Sequence, residues 1–197
     1  MIIINMVGGP HAGKSTMAAY LYYRLKKAGI RAELVSEAAR EHHIYQYPAD
    51  RVPEQLKDNQ VLVFGEQYER VLRLQRHNFE VAVCDSSLEQ QQIYFKGHLY
   101  EKSLKAVVDD CAKHFDTYNV FIHPDPGKYD PESRTQRTET EARSLDKIVR
   151  ELMGNFWLEI NWDQESLLGD RAVQLVLSKR QSLPSTVSFS TTAPSLE

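Results

Sequence analysis

The spacing of apolar positions changes several times along the chain, and each change marks an element. Ile2 to Val7 is a short, β-branched, nearly continuous apolar run, the pattern of a strand buried on both faces of a parallel sheet. The period then lengthens. Met17, Leu21, Leu25 and Ala28 share one helical face, and Gly29 ends the helix. Arg31 to Ser36 is a second strand, and Glu37 to His43 a short helix. Pro48 and Pro53 bracket a loop carrying Tyr45 and Tyr47. Gln55 to Arg76 is predicted as one amphipathic helix, with Val61, Phe64, Tyr68, Val71, Leu72 and Gln75 near a common stripe.

Val81 to Cys84 is a third strand ending on Asp85, and helical segments follow at 88–96 and 99–114. Val120 to Ile122 and Phe156 to Ile160 complete five strands. Between these two lies a charged stretch with Pro and Gly, His123 to Arg143, which runs into a helix through about Met153. Gln164 to Lys179 is a final helix, and the Ser-, Thr- and Pro-rich tail after it is expected to be mobile. Strands alternating with helices predict an α/β domain with a mostly parallel five-stranded sheet. No linker divides it. The expectation is one domain over 1–180, with a lid insert near 124–143 and a tail over 181–197.

The turn after the first strand changes the picture from fold to chemistry. Gly8-Gly9-Pro10-His11-Ala12-Gly13-Lys14-Ser15 fits G-x-x-x-x-G-K-[ST] at every fixed position, and Thr16 follows. Glycines let the backbone turn tightly and bring N–H groups close to phosphate oxygens. The helix beginning at Lys14 aims its unpaired N–H groups at the same anion. Lys14 supplies positive charge to terminal phosphates, and the Ser15 hydroxyl can ligate Mg²⁺. With a strand before it and a helix after it, this is a phosphate-binding loop. The fold it predicts is the P-loop NTPase three-layer sandwich.

Other candidates stand at strand ends, where open parallel sheets bind ligands. Asp85 ends the third strand and can hold Mg²⁺ directly or through water. Glu37 follows the second strand and can orient or deprotonate an acceptor hydroxyl. Arg40, three residues on, shares its face in a helix and can help bind that acceptor. Lys128, Arg134 and Arg137 lie in the charged insert, where arginines can close over the charge that develops during phosphoryl transfer. Tyr45 and Tyr47 can stack on a ring or simply pack. His42 and His43 are adjacent and lack partners at metal-ligand spacing.

Composition narrows the partners. Lys and Arg number 24 and Asp and Glu 27, a net charge of −3, which argues against wholesale coating of nucleic acid or anionic membrane. The apolar N-terminus is too short to span a bilayer and has no basic lead-in, so neither a membrane span nor a signal peptide is expected. Cys84 and Cys111 are expected as buried free thiols in a reducing, cytoplasmic setting.

Three segments carry a resemblance: Gly8 to Thr16, Val35-Ser36-Glu37-Ala38-Ala39-Arg40-Glu41 and Val83-Cys84-Asp85-Ser86-Ser87. Together they resemble the AAA_28-type P-loop kinases, a group that includes the ribosylnicotinamide kinase domain of a bacterial NAD-biosynthesis regulator. In outline the chain is also similar to deoxynucleoside kinases, although Ser86 stands where those carry an arginine. The resemblance implies an ATP- and Mg²⁺-dependent kinase. It implies a nucleoside, nucleotide or related small acceptor, with a base or end in DNA as the alternative substrate. A P-loop ATPase or switch driving a protein partner is the other class the residues allow. A homodimer is compatible with all of these.

Overall fold

The computed structural model describes residues 1–41, 59–125 and 138–182. Tyr45, Tyr47, His42, His43, Lys128, Arg134, Arg137 and the tail beyond 182 lie outside them. Five strands are described: β1 (Ile2–Val7), β2 (Ala32–Val35), β3 (Val81–Cys84), β4 (Asp116–Ile122) and β5 (Leu158–Ile160). They pair in the order β2-β3-β1-β4-β5, and every pairing is parallel. The described helices are α1 (Lys14–Lys27), α2 (Ala38–Glu41), α3 (Gln60–Arg76), α4 (Glu101–Ala112), α5 (Glu139–Met153) and α6 (Glu165–Ser182), with a 3₁₀ helix over Glu89–Phe95. No helix among the described residues is long and apolar enough to cross a membrane.

β1 is buried along its whole length, as its apolar run predicts. Alternate residues serve opposite faces of the sheet. Ile2, Ile4 and Met6 pack with Met17, Leu21 and Leu25 of α1 and with Leu168, Ala172 and Val176 of α6. Ile3 packs with Val35, Ala82, Cys84 and Val71 of α3 on the other face, and Val7 meets Phe121 and Val149 of α5. Helices therefore cover both faces, the three-layer arrangement expected for strands apolar on both sides. Asn5 is the polar residue in β1, and its amide is satisfied across the sheet by the Asn119 side chain at 2.8 Å. Both cysteines are free thiols, Cys84 buried as expected and Cys111 only half-buried.

Three boundaries differ from the sequence expectations. α3 begins at Gln60, not Gln55, and its buried face is Gln60, Val63, Phe64, Gln67 and Val71, whereas Val61 is 49% exposed. Two buried glutamines on that face hid the true phase of the stripe. β4 begins at Asp116, because half-buried residues at its start carry no apolar run although they pair with β1. α5 begins at Glu139, so residues 139–143 belong to the helix and not to an insert. Thr138 and Glu141 fix that start with a capping box: the Thr138 hydroxyl accepts the Glu141 N–H, and the Glu141 carboxylate accepts the Thr138 N–H.

Glu89 opens the 3₁₀ helix in a half-buried position. Burial pushes its carboxyl above the ordinary glutamate range, and Asp109 adds to the shift. A carboxyl raised in this way stabilises the fold below its unfolded value of about 4.3, and the contribution is lost as pH rises through the folded value. Glu89→Gln is therefore expected to melt above wild type at pH 7, with the difference closing toward pH 4. Thermal melts at the two pH values test this, and a variant melting below wild type at pH 7 would refute it.

Candidate active site

Strand order sets the site. From β1 the chain runs out to β2, returns to β3 beside β1 and then crosses to β4 on the other side, and ligands of open parallel sheets bind at such a reversal of strand order. The residues after β2, β3 and β1 therefore stand in a row, placing Glu37, Asp85 and the phosphate loop side by side. Asp85 extends the β2–β3 ladder, its N–H donating to the Val35 carbonyl at 3.0 Å.

The loop joins β1 to α1. Gly8 has φ 145°, and a Cβ there would lie 3.0 Å from the Ile122 carbonyl oxygen of β4. Gly13 has φ 84° and no side chain caps α1. The first amides of α1 thus face the loop without a side-chain partner at the cap, as an anion site requires. Lys14 is buried at 6% exposure and donates to the Gly9 carbonyl at 2.7 Å. Pro10 and Ala12 are buried, His11 is half-buried in a left-handed conformation, and Thr16 is exposed.

Ser15, Arg40 and Asp85 come together. An Arg40 N–H donates to the Ser15 hydroxyl at 2.8 Å, and the same nitrogen lies 3.7 Å from an Asp85 carboxylate oxygen. A hydroxyl and a buried carboxylate thus surround one cationic group, and both are hard oxygen donors of the kind Mg²⁺ takes. Those residues fit the ion. The sequence assigned Arg40 to the acceptor, whereas the structure places it on the two metal-ligand candidates. Glu37 stands immediately before α2, its carbonyl accepting the N–H groups of Arg40 and Glu41. Behind it, Arg70 of α3 bonds the Glu41 carboxylate at 2.6 Å and the Ser36 carbonyl at 3.2 Å. The Gln67 side chain accepts the Ala38 N–H at 2.9 Å, which fixes the start of α2.

Sequence reasoning missed three residues that touch the loop. The Gln90 amide makes a two-point contact with Gly8, accepting its N–H at 3.3 Å and donating to its carbonyl at 3.0 Å. Asp146 of α5 accepts the Gly9 N–H at 2.6 Å. Burial pushes the Asp146 carboxyl up, while the Gly9 N–H, Arg143 and Lys14 pull it back. Trp162, just beyond β5, lays its ring against Gly13. The only sequence signal for any of them was position after a strand or in the helix behind the insert. None has a motif.

The AAA_28 family model, described as an AAA domain, matches residues 3–161, which takes in the loop, Glu37, Asp85 and α5. The chain belongs to this family. The resemblance drawn from the three short segments is thereby upheld over most of the chain. A shikimate kinase from Acinetobacter baumannii, solved with shikimate, is 16% identical at a TM-score of 0.51, over 90% of this chain and 94% of that one. The chain shares its fold with that kinase. An APS kinase from Mycobacterium tuberculosis aligns at 16% identity and a TM-score of 0.43, over 91% of this chain and 97% of that one. No curated protein sequence matches the chain.

Proposed function

We propose that this AAA domain is an ATP-dependent phosphotransferase acting on a hydroxyl or phosphate of a nucleoside-like small acceptor. The observation that carries the reading is the row of strand ends: a complete phosphate loop beside Asp85, with Glu37 one strand further out and Arg40 reaching back to Ser15 and Asp85. A loop that only gripped nucleotide would not need a carboxylate beyond the metal-ligand candidates.

In this reading Lys14 and the amides of residues 9–16 hold the nucleotide phosphates. Ser15 and Asp85 would hold Mg²⁺, which neutralises charge on the phosphate oxygens when bound. The acceptor oxygen attacks the γ-phosphorus. A new P–O bond forms, the bond to the β–γ bridging oxygen breaks, and ADP leaves with that electron pair. The acceptor proton passes to the Glu37 carboxylate or to water. Arg40 then serves whichever anion is in place. Arg134 and Arg137 supply further positive charge in the proposal.

The test is ATP consumption with Mg²⁺ across deoxynucleosides, nucleoside monophosphates, nicotinamide riboside, and DNA with normal and hydroxymethylated bases. Turnover should depend on one class of small acceptor. Glu37→Gln should lower kcat for that acceptor by about 10²-fold, the scale of a lost general base, with nucleotide affinity little changed. Turnover that responds only to DNA would move the acceptor into a polymer. Turnover that ignores every acceptor, or waits for a protein, would replace the kinase with an ATPase and remove the role of Glu37.

A further inference from the structure

The phosphate-loop pattern fixes Gly8, Gly13, Lys14 and Ser15 and leaves position 9 open. Gly9 does not have the positive φ of Gly8 and Gly13, so backbone conformation does not explain why it is glycine. Its surroundings do. A Cβ at Gly9 would lie 2.6 Å from Asp146 Oδ1, 2.9 Å from Asp146 Cγ and 3.0 Å from the Ala142 carbonyl oxygen. Position 9 is empty of side chain because the carboxylate of α5 fills the space.

All four polar groups of the Gly8-Gly9 backbone are engaged. Gln90 takes both groups of Gly8, Asp146 takes the Gly9 N–H, and Lys14 donates to the Gly9 carbonyl. Asp146 is 9% exposed, and its second oxygen lies 3.6 Å from an Arg143 nitrogen one turn earlier on α5. A buried carboxylate against a backbone amide makes a strong, charge-assisted contact, and its burial is costly unless it is paired, as Asp146 is by the Gly9 N–H and Arg143. The path from Asp146 to the Lys14 ammonium is a single residue's backbone.

We infer that Asp146 is a positioning residue of the phosphate loop: by holding the Gly9 N–H it orients the Gly9 peptide and parks Lys14 for the nucleotide phosphates. The inference rests on the nucleotide-binding half of the function proposed above and requires nothing about the acceptor. It assigns α5 a part in nucleotide affinity, although no residue of that helix belongs to the phosphate-loop motif.

The experiment is direct calorimetric titration of the full chain with Mg·ADP, with melting temperatures recorded for every variant. Asp146→Ala should weaken affinity by about tenfold or more, the scale of one lost hydrogen bond to a charged group. Asp146→Asn keeps an oxygen for the Gly9 N–H and should recover most of that loss. Gly9→Ala should weaken binding because its Cβ displaces the carboxylate. In the double variant Gly9→Ala should add less than it costs alone. If Asp146→Ala melts too low to titrate, Asp146→Asn and Gly9→Ala carry the comparison. Wild-type affinity in a folded Asp146→Ala, an Asn variant as weak as Ala, or fully additive losses would each overturn the inference. A wild-type chain that binds no Mg·ADP would instead bring down the nucleotide-binding reading itself.

Discussion

Lys14→Ala should cost about 10³-fold or more in turnover, roughly 4 kcal/mol of transition-state stabilisation, while the chain stays folded. The size follows from where the ammonium sits. Lys14 is buried in the loop and donates to the Gly9 carbonyl. A charge withdrawn from water acts on a phosphate through a low effective dielectric, so removing it costs far more than losing a surface lysine. The fold should tolerate the change because the cation is not the core's support. α1 is anchored by Met17, Ala18, Leu21 and Leu25, all buried on its sheet face. One compensation is expected. Lys14 helps to hold down the Asp146 carboxyl, so the variant leaves that group with Arg143 and the Gly9 N–H, and Asp146 should titrate higher. Circular dichroism and melting temperature check the fold, and a coupled ADP-release assay checks turnover. Wild-type turnover in a folded Lys14→Ala would remove the phosphate loop from the chemistry altogether.

Legibility from sequence followed the length scale of each interaction. β1 and β3 were readable to the residue because a strand buried on both faces has no choice but a continuous apolar run. The loop was readable because its chemistry is written in eight consecutive residues. Asp85 and Glu37 were readable as strand-end acids, a rule about topology more than about sequence. What stayed hidden was contact between distant segments. Nothing in the string places Gln90 on Gly8 or Asp146 on Gly9, separations of 82 and 137 residues. The setting of Arg40 was half-legible: its spacing from Glu37 was seen, but its reach to Ser15, 25 residues away, was not. The hydrophobic stripe of α3 was misphased for a related reason. Gln60 and Gln67 are both buried, Gln67 with its side chain on the Ala38 N–H of α2, and a glutamine gives no apolar signal.

Gly13→Ala is expected to carry the largest stability loss of any single methyl added to the loop, about 2–5 kcal/mol. Two costs combine. Gly13 has φ 84°, and an L-residue held in that left-handed region loses roughly 1–2 kcal/mol. The new Cβ would also lie 1.9 Å from one Trp162 ring carbon and 2.4 Å from a second, so the indole must leave its seat. Trp162 packs on the main core cluster beneath α1 and α6, and displacing it uncovers apolar surface there. At about 2–4 °C per kcal/mol for a domain of this size, the melting temperature should fall by roughly 4–20 °C. A second variant separates the terms. In a Trp162→Ala background the clash is gone, and Gly13→Ala should cost only the backbone share. Equal losses in both backgrounds would mean that the indole does not sit on Gly13 in solution. A Gly13→Ala chain that melts like wild type would go further and show that the left-handed turn at the start of α1 is itself absent, and the anion site with it.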